Sequence, residues 1–233
     1  PPERKPFVLI DRQSPVIISA PHGAMTYRNN RSEIWHEEDE YTAGMALLLA
    51  KLCNVSVIAT IWRTADSDPN EHSYDQSEYK QSLGTLINKG EVHRLIDLHG
   101  AGEKSQNLTD SQWVDLGLGE NNDYLPNGEA VFLRGRLEDN LGSDVTLRKG
   151  KSGFSASGSN RIAAFAKAHP GVYSVQVEMK PIVRIPRRRE DASMFHKSIK
   201  DGGGPYLAPS RQIIGMLQAL VDFIEYLKVG KLK

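Results

Sequence analysis

The chain has 233 residues, 39% apolar and 25% charged, and its 29 Lys and Arg balance 29 Asp and Glu. That is the make-up of a globular chain long enough for one sizeable core, and zero net charge argues against a general nucleic-acid or other polyanion-binding role. The single cysteine, Cys53, excludes an intrachain disulfide and a multi-cysteine zinc cluster, and no stretch is long and apolar enough to span a membrane.

The opening "PPERKPF" shows no signal peptide and reads as a trimmed start, so a cytoplasmic location is the expectation. "VIISA" (16–20), β-branched and bounded by Pro15 and Pro21, predicts a short buried strand. Residues 36–52 predict a helix with acids crowding its first turn and an apolar stripe of Met45, Leu48, Leu49 and Leu52. "VSVIAT" (55–60) predicts a second strand, and 74–90 a helix closed at Gly90. "HRLIDLHG" (93–100) predicts a third strand running into glycine. The stretch 101–128, rich in Gly, Asn, Asp and Ser, reads as a long polar loop, and "EAVFLRG" (129–135) as a strand. A helix over 158–171, a strand over 172–180 and an amphipathic helix over 211–230 complete the chain. The last helix can pack on its own sheet or on another subunit, and the oligomeric state stays open. Strands alternating with helices predict one α/β domain over 1–233. Its expected form is a three-layer α-β-α, hydrolase-like architecture with a mostly parallel mixed sheet.

In open α/β sheets the ligand site lies outside the carboxyl ends of the strands. Three predicted strands end there with polar groups: "VIISAPHG" delivers His22, "HRLIDLHG" delivers Asp97 and His99, and "VYSVQVEMK" delivers Glu178. The first helix opens on Glu37, Glu38 and Asp39. Two histidines, one carboxylate and an open position make a hydrolytic zinc centre, and a second carboxylate nearby can act as general base on water. Each residue also has a bland reading. A strand-end histidine can serve a turn, acids suit any helix N-terminus, and the Ser174–Gln176–Glu178 face of the last strand can meet solvent. Asp97, flanked by Ile96 and Leu98, is a costly buried carboxylate unless paired, and reads as an orienting partner for a histidine. His36, His72, His93, His169 and His196 lack this context and read as structural or exposed.

At these residues the chain resembles the N-formylglutamate amidohydrolase-like family. The resemblance rests on "SAPHGA" (19–24), "EEDEYT" (37–42), "DPN" (68–70), "IDLHGA" (96–101) and "VQVEM" (175–179), in that order. It implies a zinc carboxypeptidase-like fold and one zinc per chain, held by His22, His99 and an acid, with Glu178 as the catalytic carboxylate. The acid is Glu38 or Asp39; on a helix these point roughly 100° apart, so only one would face the metal. Where the family's formylglutamate-cleaving members carry Asn-Arg after their Asp, this chain reads Asn70-Glu71.

Arg63, after the second strand, and Asn160 with Arg161, at a predicted helix start, are candidates for gripping a substrate carboxylate. In the zinc carboxypeptidases that the fold resembles, an Asn-Arg pair holds such a group. The basic run 184–191 offers Arg184, Arg187 and Arg188 for the same purpose. The expectation is a zinc-dependent hydrolase. It would cleave a C–N amide bond in a small or peptide-like, carboxylate-bearing substrate such as an N-acyl amino acid. The alternatives are a zinc amidase acting on peptidoglycan or poly-γ-glutamate, and a non-catalytic binding protein on the same fold.

Overall fold

The computed structural model describes residues 5–27, 35–36, 38–63, 68–102, 108–109, 111–148, 155–186 and 210–230. Its elements are β1 (Phe7–Ile10), β2 (Val16–Ala20), β3 (Thr26–Tyr27), β4 (Trp35–His36), α1 (Thr42–Cys53), β5 (Ser56–Thr60), a 3-10 turn (Tyr74–Gln76), α2 (Glu78–Asn88), β6 (Arg94–Gly100), β7 (Gln112–Gly117), α3 (Asn127–Leu141), β8 (Asp144–Arg148), α4 (Ile162–Lys167), β9 (Tyr173–Met179), α5 (Pro181–Arg184) and α6 (Ser210–Val229). Seven strands form one sheet in the order β1-β5-β2-β6-β9-β7-β8, and β3 pairs with β4 in a small hairpin. The run β5-β2-β6-β9 is parallel; β1 joins β5 antiparallel, and β7 joins β9 antiparallel while running parallel to β8. The result is the expected α/β fold with a mixed sheet between two helical layers.

The two faces of the sheet differ. One is apolar along its whole length: Val16, Ile18, Ala20, Ile96, Leu98, Val175, Val177 and Met179 share a cluster with residues of α1, α3 and α6. On the other face Ile17, Ile58 and Leu95 meet Tyr79, Leu83, Leu86 and Ile87 of α2 and Ile162 and Ala166 of α4. That cluster covers only the lower half of its face. Toward the strand ends the same face carries Ser19, Asp97, His99, Gln176, Glu178 and Asp115, all buried. Helix α6 packs on α3, α1 and α5 of its own chain. Among the described residues no helix is long and apolar enough to cross a membrane.

Several expectations are corrected. Residues 129–135 lie in helix α3, not in a strand. Val131 and Phe132 suggested β structure, but the buried positions are Ala130, Leu133, Leu137 and Leu141, the three-to-four spacing of a helix face, and Val131 is 57% exposed. The polar stretch 101–128 contains strand β7, whose Val114 and Leu116 are fully buried beside β9. Edge strands β1 and β8 were not anticipated. Helix α1 begins at Thr42, so Glu38 and Asp39 precede it; Glu37 lies outside the described residues. Tyr41, at φ 67°, turns the chain before the helix starts. The 100° separation expected on a helix therefore does not apply to Glu38 and Asp39.

Candidate metal centre

Strands β2, β6 and β9 are neighbours and parallel, so their carboxyl ends lie side by side. Register places Asp97 opposite both Ser19 and Gln176, and Glu178 opposite both His99 and Asp115. Paired residues share a face, so this polar row is a direct product of two-residue periodicity on adjacent strands. His22 lies two residues past β2. The next residue must be glycine, because a Cβ at Gly23 would come 2.3 Å from the Ala43 Cβ and 2.5 Å from the Thr60 carbonyl oxygen. At the second His-Gly pair the neighbour is a side chain: a Cβ at Gly100 would lie 2.7 Å from the Arg184 guanidinium carbon, which would have to shift.

His22, Asp39 and His99 come together and are buried. Asp39 Oδ2 lies 3.4 Å from His22 Nδ1 and 3.4 Å from His99 Nδ1. The two imidazole rings, 5.0 Å apart, cross at 70°. The opposite ring nitrogens are held by acids: His22 Nε2 is 2.8 Å from Asp68 Oδ1, and His99 Nε2 is 3.0 Å from Asp97 Oδ2. An Nε2–H donated to each acid leaves both Nδ1 lone pairs aimed inward, the tautomer a metal requires. His22 Nδ1 is buried with no hydrogen bond, which is an orphaned acceptor where a cation would sit. Asp39 is fixed through its main chain: its N–H donates to the His22 carbonyl at 2.8 Å, and its carbonyl accepts from Thr42 Oγ1 at 2.7 Å. The donor set and its arrangement fit a divalent metal such as zinc.

A second grouping, His22 with His36 and Asp68, has ligand atoms equally close together. It does not form a ready site. The His22 and His36 rings stack 4.0 Å apart and only 21° from parallel. Lone pairs lying in such planes meet far outside bonding distance.

The electrostatics suit a dication. Burial works against charge on His22, but Asp68 and Asp39 outweigh it and raise its pKa to about 9. His99 is likewise disfavoured by burial, yet Asp97, Asp39 and Glu178 hold it well above the ordinary histidine value. Burial would raise the Asp39 carboxyl, but the two histidines bring it well below the usual carboxylate range. Glu178 is pushed up to about 7, chiefly by burial and with Asp39 and Asp115 adding to it, while the histidines oppose. Gln176 Nε2 donates to Glu178 Oε1 at 2.8 Å.

The structure thus brings His22, His99, Asp97 and Glu178 together as the sequence suggested, and of the two acids it is Asp39 that joins them. Glu38 is half-buried and outside the cluster. Arg63 is exposed beyond β5. Asn160 donates to the Glu71 carbonyl at 3.1 Å, and Arg161 Nη1 lies 3.6 Å from Glu71 Oε1. Arg184 is no open anion site: it is buried and donates to the carbonyls of Met179, Glu40 and Ala101 at 3.0, 2.6 and 3.4 Å. It braces the ends of β9 and β6 against the segment carrying Asp39. Arg187, Arg188 and His196 lie outside the described residues.

Sequence reasoning gave no role to Asp68, Asn70 or Gln176, which are buried against these groups. "DPN" was visible only as a motif. Its role is now plain: Asn70 N–H donates to Asp68 Oδ1 at 2.8 Å, Asn70 Nδ2 is 3.4 Å from His99 Nε2, and Asn70 Oδ1 accepts from Ile162 N–H at 2.8 Å.

No protein-family model matches the chain, and no curated protein sequence matches it. Solved structures do. An N-formylglutamate amidohydrolase from Ralstonia eutropha JMP134 is 13% identical, with 97% of this chain and 99% of that one covered at a TM-score of 0.60. YndL in its zinc-free form is 18% identical over 96% and 92% at 0.54. A metallo-carboxypeptidase from Pseudomonas aeruginosa, bound to (2-guanidinoethylmercapto)succinic acid, is 14% identical over 95% of this chain and 61% of that one at 0.50. At such identities the likeness is one of architecture, and the chain has the mixed-sheet α/β fold shared by N-formylglutamate amidohydrolase and metallo-carboxypeptidase structures.

Proposed function

We propose that this chain is a zinc-dependent amidohydrolase acting, as a single α/β domain, on a C–N amide bond of a small carboxylate-bearing substrate. The observation that carries this reading is the convergence of His22 Nδ1, His99 Nδ1 and Asp39 Oδ2 beside Glu178. Bound there, zinc supplies a Lewis acid that polarises a carbonyl and brings a water's pKa toward neutrality. The protein's own residues do the rest. Glu178, with Oε1 fixed by Gln176, takes a proton from water and hands it to the departing nitrogen. Asp68 and Asp97 hold the imidazole planes. Arg161 with Asn160, and the exposed Arg63, would orient the substrate carboxylate. Arg161 does so against competition from Glu71, so a substrate carboxylate displaces an internal one.

The test is metal content by elemental mass spectrometry on wild type, His22→Ala and His99→Ala, followed by an N-acyl amino acid screen with Glu178→Gln as control. About one zinc per chain, lost in both histidine variants, with turnover lost in Glu178→Gln, is the expected result. No zinc uptake by wild type would leave a binding protein as the better account. The fold is also similar to a bacteriophage poly-gamma-glutamate hydrolase, 13% identical over 94% of this chain and 90% of that one at a TM-score of 0.50, so γ-linked glutamyl polymers belong in the same screen.

A further inference from the structure

Helix α2 lays Tyr79, Leu83, Leu86 and Ile87 on the sheet, and Lys80 goes in with them at 1% exposure. A buried ammonium is costly unless its protons are taken up. Lys80 Nζ donates to two backbone carbonyls, of His72 and Asn160, which belong to separate segments. The first segment, 68–72, carries Asp68, the partner of His22 Nε2, and Asn70, whose amide lies beside His99 Nε2. The second leads into α4 and meets the first again where Ile162 N–H donates to Asn70 Oδ1 and where Asn160 donates to the Glu71 carbonyl. These links tie down the segment that carries Asp68 and Asn70, the groups that lie against the outer nitrogens of the two imidazoles. Two of the links carry charge, the partly exposed Arg161–Glu71 pair and the buried Lys80 ammonium. Burial lowers the Lys80 pKa to about 8, while Asp68, Asp97 and Glu71 favour its charge against Arg161.

We propose that Lys80 is a positioning residue for the metal centre, a buried ammonium that clasps the 68–72 segment to the 160–162 segment and so keeps Asp68 on the outer nitrogen of His22 and Asn70 beside His99. The inference rests on the reading of His22, Asp39 and His99 as metal ligands, and Lys80 itself touches none of them. A lysine that merely filled the core would affect stability and leave the folded site unchanged.

The experiment uses the full chain as wild type, Lys80→Met, Lys80→Gln and Leu86→Ala, the last being a core residue of the same helix. Amide hydrogen exchange is measured on metal-free protein, and zinc affinity by competition with a chromogenic chelator. In Lys80→Met the Asn70 and Ile162 amides should exchange about tenfold faster relative to those of β2 and β6, and zinc should bind about tenfold more weakly. Lys80→Gln should fall between, and Leu86→Ala should change neither. Folded Lys80→Met with wild-type exchange at Asn70 and Ile162, or a zinc loss matched by Leu86→Ala, would overturn the proposal. If Lys80→Met does not fold, Lys80→Gln decides by the same criteria. If wild type takes up no zinc, the metal reading fails, and the exchange data still decide whether Lys80 clasps the two segments.

Discussion

Each imidazole of the centre is held at its outer nitrogen and faces Asp39 with its inner one. Asp39 lies at 3.4 Å from both inner nitrogens, and Asp68 and Asp97 take the outer ones at 2.8 and 3.0 Å. An acid on the far nitrogen selects the tautomer and increases the basicity of the near one, so removing its charge should weaken metal binding without deleting a ligand. Asp68→Asn should lower zinc affinity about 10- to 100-fold while the fold stays intact. A chelator competition on folded protein checks this, and unchanged affinity would reduce Asp68 to a structural partner. Asp97 was legible in the sequence because a charge between Ile96 and Leu98 demands a partner. Asp68 was not, because it lies 46 positions from His22 and only folding brings the two together. Lys80 left a fainter trace: it shares a helix face with Leu83, Gly84 and Ile87, where an apolar residue would be routine.

Among the elements, α3 shows how periodicity outranks residue preference. Val131 and Phe132 favour a strand, yet the chain follows the spacing Ala130, Leu133, Leu137, Leu141, and Gly142 at φ 64° closes the helix. The two assignments predict opposite mutational outcomes. Leu133 is fully buried in the helix, so Leu133→Ala should cost about 2–5 kcal/mol, whereas Val131→Asp, on the outer face, should stay within about 0.5 kcal/mol. Urea unfolding of both variants reads this directly; a large loss at Val131 would argue for a strand after all. The start of α1 illustrates the other limit of local reading. Acids before an apolar stripe look like a helix's first turn, but Tyr41 in the left-handed region places Asp39 outside the helix, with its main chain bonded to His22. The position of Asp39 is set by its contacts with His22 and His99 more than by the helix dipole.

Across the whole molecule, charge around the centre links stability to pH and to metal. His22 has a folded pKa of about 9 against 6.5 for the free group, so its contribution is fully present below pH 6.5 and is lost as pH rises through 9. Glu178, raised from 4.5 to about 7, adds a penalty that grows over that interval. Both act in one direction: metal-free protein should lose stability steadily from about pH 5 to pH 9. Zinc should reverse the trend, because its ligands must be deprotonated and its affinity rises with pH. Thermal unfolding at several pH values with chelator and with zinc tests this. A zinc increment that fails to grow with pH would contradict it.

The strands β2, β5, β6 and β9, the helices α2 and α6, and the delivery of His22, His99 and Glu178 to one end of the sheet were all determined by sequence. Hydrophobic periodicity and glycine placement act over a few residues, and parallel strands bring their carboxyl ends together as a matter of topology. What tertiary structure decided was of another kind. It set which acid, Asp39, faces both imidazoles, which distant groups hold their outer nitrogens, and that Arg184 braces carbonyls instead of waiting for an anion. It also placed β7 in a polar stretch and buried Lys80. Each of these depends on a contact between residues far apart in the chain, where the cost of an unpaired buried charge or polar group, and not any local preference, chooses the partner.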